Sequence, residues 1–240
     1  MGSYIVKLKD RRQAAEGTMA CYFEKPEGFN FAGGQSIDLT LLDPPETDAK
    51  GNTRALSLAS APHEPLIMVA TRQRDTAFKR VLKNLPPGSQ AKFEGPFGSM
   101  TLHRKITRPA VILAGGIGIT PFRSMLCQAV NAHTGHRLIL FYSNRTPGDA
   151  AFLAELQDLA RQHSGFSLVA TVTNPEKAGS SWDGERGYIN ADMLKRHVGN
   201  LPEPVYYTAG PPAMVAAMKQ ILKDAGADED DIRSEDFAGY

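Results

Sequence analysis

Near residue 108 the rhythm of the chain changes, and that change restricts the fold more than any other feature. Before it come short runs rich in β-branched and aromatic residues: SYIVKL (3–8), TMACYFE (18–24), QSIDLTLL (35–42), RALSLAS (54–60), PLIMVATR (65–72) and SQAKFEG (89–95). Gly, Pro, Asn and Asp punctuate them at regular spacing, which predicts the strands of an antiparallel barrel or sandwich. One segment departs from this. TAFKRVLKNL (76–85) sets Phe78, Val81, Leu82 and Leu85 at helical spacing, with Thr76 as N-cap and PPG as the stop. After the change, AVILA (110–114), RLILFYS (137–143), FSLVATVT (166–173) and VYYTA (205–209) alternate with helical stretches. Helices are expected from Pro121, from a cap at Asp149, after Asn190, and from GPP to a stop at Gly226. Continuous apolar strands separated by helices make a parallel sheet covered on both faces. The expected fold class is therefore two-domain: an antiparallel β barrel over 1–104, then a doubly wound α/β parallel sheet over 108–240. HRKITRP (103–109) joins them.

Composition excludes more than it suggests. A net charge of +1 gives no argument for a nucleic-acid partner. Cys21 and Cys127 stand alone, so neither a disulfide framework nor a cysteine cluster forms. The six histidines are scattered, and the pair in HTGH (133–136) reads as a solvated helix end, so no metal site is expected. No apolar run is long enough to span a bilayer, and the opening residues lack the apolar core of a signal peptide. Val6 stands where a myristoylation site wants Ser or Thr. A cytoplasmic setting follows as the expectation.

The sharpest local signal is AVILAGGIGITPFRSML (110–126). A buried strand runs into glycines, which let the backbone turn tightly and approach a ligand. Thr120 reads as the cap of the next helix and Pro121 suits its first turn. A helix start there offers free N–H groups to a pyrophosphate. Pro121 stands where the dinucleotide fingerprint has its third Gly, so a tight turn without a ligand is an equal reading. TAGPP (208–212) is a second turn of the same kind on the same rim of the sheet. In the barrel half, Arg54 and Ser57 offer phosphate and hydroxyl chemistry but point to opposite faces of a regular strand. Arg72 and Arg74 precede the helix start at Thr76. Finally, the tail SEDFAGY carries Phe237 and Tyr240 where termini are usually small and polar.

Taken together and in this order, FAGGQSIDL (31–39), RALSLAS, GPFGSM (95–100), AGGIGITPFRSM (114–125), YSNRTPGDAAFLAEL (142–156) and YYTAGPPAMV (206–215) resemble the motifs of the ferredoxin–NADP reductase superfamily over most of the chain. The resemblance implies FAD in the barrel, with FMN the lesser choice, and NADH or NADPH in the α/β half, with hydride passing between nicotinamide and flavin N5. It assigns Arg54 to the flavin phosphates, Ser57 to the neighbourhood of N5, and Leu56 and Ser60 to the same motif. It gives Val69, Ala70, Thr71, Thr76 and Ala77 to the ribityl chain and pyrophosphate. Gly115, Gly116, Gly118, Thr120 and Pro121 would underlie the nicotinamide nucleotide. Asn144 and Arg145 would lie near its adenosine ribose, and Gly210 and Pro211 along its nicotinamide. The tail residues Phe237, or less favourably Tyr240, would cover the flavin, with Glu235 near N5, so that Ser57, Glu235 and Phe237 form the catalytic set.

Three departures stand out. Leu56 replaces the family's Tyr, Ala209 replaces its frequent Cys, and no iron–sulfur cysteine cluster accompanies the two domains. Electrons would leave to a separate acceptor such as a ferredoxin, a flavodoxin or another redox protein. TRQRDTAFKRVLK (71–83) holds five cations that would suit an acidic partner. TVTNPE (171–176) lacks the Arg of NADP-dependent relatives, which favours NADH, although Arg186 is near enough in sequence to substitute. The competing reading is a redox-sensing subunit that binds the same cofactors without turnover.

Overall fold

The computed structural model of the chain describes residues 2–237, so Tyr240 lies outside the described residues. In the first half, alternation of buried and partly covered residues is clearest in one strand. In β3 (Ser36–Leu41), Ile37, Leu39 and Leu41 are buried while the residues between them are only partly covered. The same alternation carries Val6 and Leu8 inward along β1 (Gly2–Ala15). With β2 (Thr18–Glu24), β4 (Thr53–Ser57), β5 (Leu66–Arg72) and β6 (Gln90–Phe97), these strands pair antiparallel in the order β4-β3-β6-β1-β2-β5. A bridge between Leu58 and Val69 joins the two outer strands and closes the barrel. Helix α1 (Ala77–Asn84) closes over its core, inserting Phe78, Val81 and Leu82 among Phe23, Ile37 and Phe93. Its N-cap is Thr76, whose hydroxyl accepts from the Lys79 amide, as the sequence predicts.

The second half is a parallel sheet in the order β10-β9-β8-β7-β11-β12. Its strands are β7 (Ala110–Gly115), β8 (Leu138–Asn144), β9 (Phe166–Val172), β10 (Glu185–Arg186), β11 (Val205–Gly210) and β12 (Ile232–Asp236). Helices α2 (Ile119–Asn131) and α3 (Leu153–Gln162) cover one face, and α4 (Ala191–Val198) and α5 (Pro212–Asp224) the other. Strand β7 shows why its sequence is apolar throughout. Ala110, Ile112 and Ala114 pack toward α2 and α3, while Val111 and Leu113 pack toward α4 and α5. From β7 the chain builds outward through β8, β9 and β10, then returns to lay β11 on β7's other side.

Several local expectations are corrected. Helix α2 begins at Ile119, after a 3-10 turn at Gly116–Gly118, and Gly118 occupies the cap position. Thr120 is therefore inside the first turn, where its hydroxyl donates to the Ile117 carbonyl at 2.9 Å rather than capping. Asp149 does not start α3. It closes a short 3-10 turn (Pro147–Asp149) by a capping box with Thr146, and Phe152, in the left-handed region at φ 61°, opens the helix instead. His136 is buried, with Nε2 2.9 Å from the His103 carbonyl oxygen, not part of a solvated helix end. Nothing in the tail's own sequence predicts a strand, yet β12 adds to the sheet edge in parallel register with β11.

Candidate active site

The order of the parallel sheet reverses between β7 and β11, and loops leaving neighbouring strands in opposite directions open a crevice at their carboxyl ends. Two glycine turns meet there. A Cβ on Gly118 would lie 2.2 Å from the Ala209 carbonyl oxygen, and one on Gly115 would lie 2.3 Å from Met214 Sδ. The β7–α2 turn is thus pressed against the residues around Gly210 and Pro211, leaving no room for side chains. Pro121 sits in the first turn of α2, where no N–H is needed. Asn144 at the end of β8 is buried, whereas the neighbouring Arg145 is exposed. Among the described residues, Asn144 Oδ1 and Thr208 Oγ1 are buried without a hydrogen-bond partner. Buried oxygens left unpaired are costly. Asn144 Oδ1, at a strand end on the crevice edge, fits a ribose hydroxyl.

The barrel supplies the other wall. Strand alternation puts Arg54 and Leu56 on one face of β4 and Ser57 on the other. Leu56 is in the barrel core, and the Arg54 guanidinium lies 4.9 Å from the Phe78 ring centroid. Ser57 pairs in register with Ser36. Arg54 is heavily engaged by its own loop. Nη2 donates to both oxygens of Asp48 at 3.0 and 3.3 Å, and Nη1 to the Lys50, Gly51 and Thr53 carbonyls. Burial raises the Asp48 carboxyl, but bonds from the Lys50 amide, the Arg54 side chain and the Ala77 amide outweigh it and hold the group below its usual range. The start of α1 thus already faces a carboxylate of its own chain. Cations still dominate locally. Burial, then repulsion from Arg74, Arg54 and Lys50, pushes the Lys79 ammonium down to about 8. A helix start at Thr76–Ala77 with Arg54, Arg74 and Lys79 close by fits a diphosphate.

Val69 is in the core, and Ala70 and Thr71 are buried. The Ser60 hydroxyl accepts from the Met68 amide at 2.9 Å. Arg72 is not part of the α1 seat. Its guanidinium donates to Thr18 Oγ1 of the neighbouring β2 at 3.0 Å and reaches across to the Asp149 carbonyl of the other half at 3.1 Å.

Strand β12 brings the tail between the two walls. Glu235 pairs in register with Ala209, and its Oε1 and the Ser36 Oγ both lie 3.9 Å from where a Cβ on Gly98 would be. Burial raises the Glu235 carboxyl above its usual range. The Phe237 amide donates to the Gly210 carbonyl at 3.0 Å, and its ring packs on a cluster formed by Ala20, Ala59, Met68 and Ala70 of the barrel and Ile117 of the β7–α2 turn. Sequence reasoning misses Ser36, Gly98 and Asp48. The place of Ser36 beside Gln35 in FAGGQSIDL is a signal that could have found it, whereas nothing local marks Asp48.

Among the described residues no group of His, Cys, Asp and Glu could hold a metal ion, and no helix is long and apolar enough to cross a membrane. Residues 112–220 match the family model described as the oxidoreductase NAD-binding domain. The chain is 31% identical to ferredoxin–NADP reductase B of Sorangium cellulosum, covering 84% of this chain and 83% of that protein. It is 30% identical to the glycine betaine monooxygenase reductase subunit of Chromohalobacter salexigens over 89% of its own length, but spans only 58% of that protein. The fold matches the crystal structure of a Neisseria gonorrhoeae ferredoxin NADP+ reductase with bound FAD and NADP, with TM-score 0.81, 21% identity and 98% of each chain covered. The two-sheet architecture, the crevice at the sheet reversal and the match along most of both chains agree: this chain belongs to the ferredoxin–NADP reductase superfamily of FAD-dependent NAD(P)H oxidoreductases.

Proposed function

We propose that the chain carries electrons from a reduced nicotinamide nucleotide, through FAD seated between its halves, to a separate redox protein. The observation that supports this most is one seam between the halves: Ile117 of the β7–α2 turn packs with Ala59, just past β4, Phe237 packs on the same cluster, and β12 brings Glu235 beside Gly98 and Ser36 of the barrel. Bound FAD would supply the redox chemistry, accepting hydride from the nicotinamide and releasing electrons onward. The chain's own residues bind, orient and cover. Arg54, Thr76 and Ala77 hold phosphate oxygens, with Lys79 adding charge. Val69, Ala70 and Thr71 offer backbone groups, and Phe237 keeps water from the ring. Ser57, with Ser36 and Glu235 close by, lines the reacting edge, where the carboxyl of Glu235 holds a proton more readily than in water. Gly115, Gly116, Gly118, Thr120 and Pro121 seat the nicotinamide nucleotide with Gly210 and Pro211, while Asn144 and Arg145 meet its ribose.

NADH is the favoured donor. Residues 171–176 offer no cation, and Arg186 spends its guanidinium on the Pro175 and Trp182 carbonyls at 3.4 and 3.2 Å. The acceptor is a small acidic redox protein, but the basic patch is narrower than the sequence suggests. Arg72 bonds across to the second half, and Arg80 pairs with Glu46 and Asp75. Reconstituting the protein with FAD and adding NADH without oxygen tests the proposal. The flavin bands should bleach, faster with NADH than with NADPH; bands that persist with both nucleotides would defeat it.

A further inference from the structure

Arg123 has no role in either nucleotide seat, although it lies in the helix that follows the glycine turn. It is 6% exposed, and a buried cation needs its hydrogen bonds satisfied. All five of its N–H donors are. Nε and Nη2 reach the two oxygens of Glu155 on α3 at 2.9 and 2.5 Å. Nη2 and Nη1 reach the two oxygens of Glu64 at 3.1 and 2.9 Å, and Nη1 also reaches the Ala59 carbonyl at 2.7 Å. Glu64 is itself tied to the barrel, accepting from the Ala61 amide. Beside it, Ser124 Oγ donates to the Ser60 carbonyl at 2.6 Å, and the Gly33 amide donates to Gln128 Oε1 at 2.6 Å.

We propose that Arg123 is the positioning residue that fixes the nicotinamide turn against the flavin strand. One guanidinium joins α2, whose start forms the glycine turn, to residues 59–64, which continue directly from Ser57. Its fork geometry leaves no freedom to slide, because both carboxylates are held edge-on by paired donors. A lysine offers three donors on a flexible stem and cannot make the five bonds. Buried ion networks add little net stability compared with apolar packing, so what this one supplies is geometry. Geometry is what hydride transfer needs, since a misplacement of about 1 Å can cost on the order of a hundredfold in rate.

The inference rests on the proposed cofactors, and the test separates the two. R123K, E64Q and E155Q are compared with the wild type in FAD content, in flavin reduction by NADH, and, without cofactor, in amide hydrogen exchange along residues 59–61 and α2. Glu64 ties Arg123 to the barrel, while Glu155 ties it only within its own half. R123K should slow flavin reduction by about tenfold or more with KM changed less than about twofold and FAD content kept. E64Q should slow it by roughly threefold and speed exchange at 59–61, while E155Q does neither. Wild-type rates in a folded R123K overturn the inference, as does equal slowing by E64Q and E155Q. Should R123K fail to fold, the E64Q and E155Q pair decides. Wild-type flavin that neither nucleotide bleaches would count against the proposed function instead.

Discussion

At the β7–α2 turn the proposed nicotinamide seat is made by leaving things out, while at the start of α1 the proposed flavin phosphate seat is made by adding charge. In the first, a Cβ on Gly118 would fall 2.2 Å from a backbone oxygen, so the residue is dictated by the packing of β7 on β11 before any ligand arrives. In the second, Arg54 is already bonded to Asp48 and three carbonyls, and Lys79 is pushed down to about 8 by burial and its cationic neighbours. Steric seats admit one solution and break outright. Charged seats are negotiable, because a carboxylate of the same chain can stand in for the ligand. The comparison predicts large, structural losses on one side and graded, pH-dependent shifts in affinity on the other.

The largest effect should come from G118A. Nothing near Ala209 can give way, so the change should cost about 3 kcal/mol in urea unfolding and remove reduction by NADH. A protein of wild-type stability would show that the turn has slack after all. Next is R54A, for which titration of FAD into apoprotein should show affinity falling by roughly thirtyfold, about 2 kcal/mol. Unchanged affinity would move the phosphates elsewhere. D48N should act the other way, raising FAD affinity by about threefold as the competing anion is removed. A fall instead would mean that Asp48 orients Arg54 for the ligand. Lys79 gives a smaller signature. Its folded value of about 8 in the free protein should rise beside a diphosphate, so FAD binding should take up protons and weaken as pH rises past about 8. Calorimetry in buffers of different ionisation enthalpy reads this directly, and K79M should abolish it. The smallest is Glu235. A raised carboxyl makes stability fall as pH climbs from 4.5, the ordinary glutamate value, through the folded value. E235Q should flatten that slope in thermal melts between acid and neutral pH.

Sequence makes the steric features legible and hides the charged ones. The apolar run before AGGIGITP, the Thr76 cap and the alternation of β3 are local rules that packing then obeys. Arg72 misleads because its partners, Thr18 and the Asp149 carbonyl, are far away in sequence, and nothing beside it foretells them. Asp48 is hidden for the same reason: a carboxylate in a loop is usually solvated, and only the fold lays it on α1. The strand at the tail is invisible because Ile232–Asp236 carries no apolar alternation of its own, and only β11 alongside makes it a strand. Leu56 shows the limit of motif matching, since its place in the barrel core follows from strand alternation rather than from the resemblance.

The last strand is also sewn to the connector between the halves. Arg108 Nη1 and Nη2 grip Asp231 at 2.7 and 2.6 Å just before β12, and Arg233 within it donates to the Thr101 carbonyl at 2.6 Å. A book hinged on residues 98–109 would therefore have its bookmark stitched to the spine. Pulling the covers apart would draw Glu235 and Phe237 off the barrel, so spreading the halves and lifting the proposed flavin cover become a single movement.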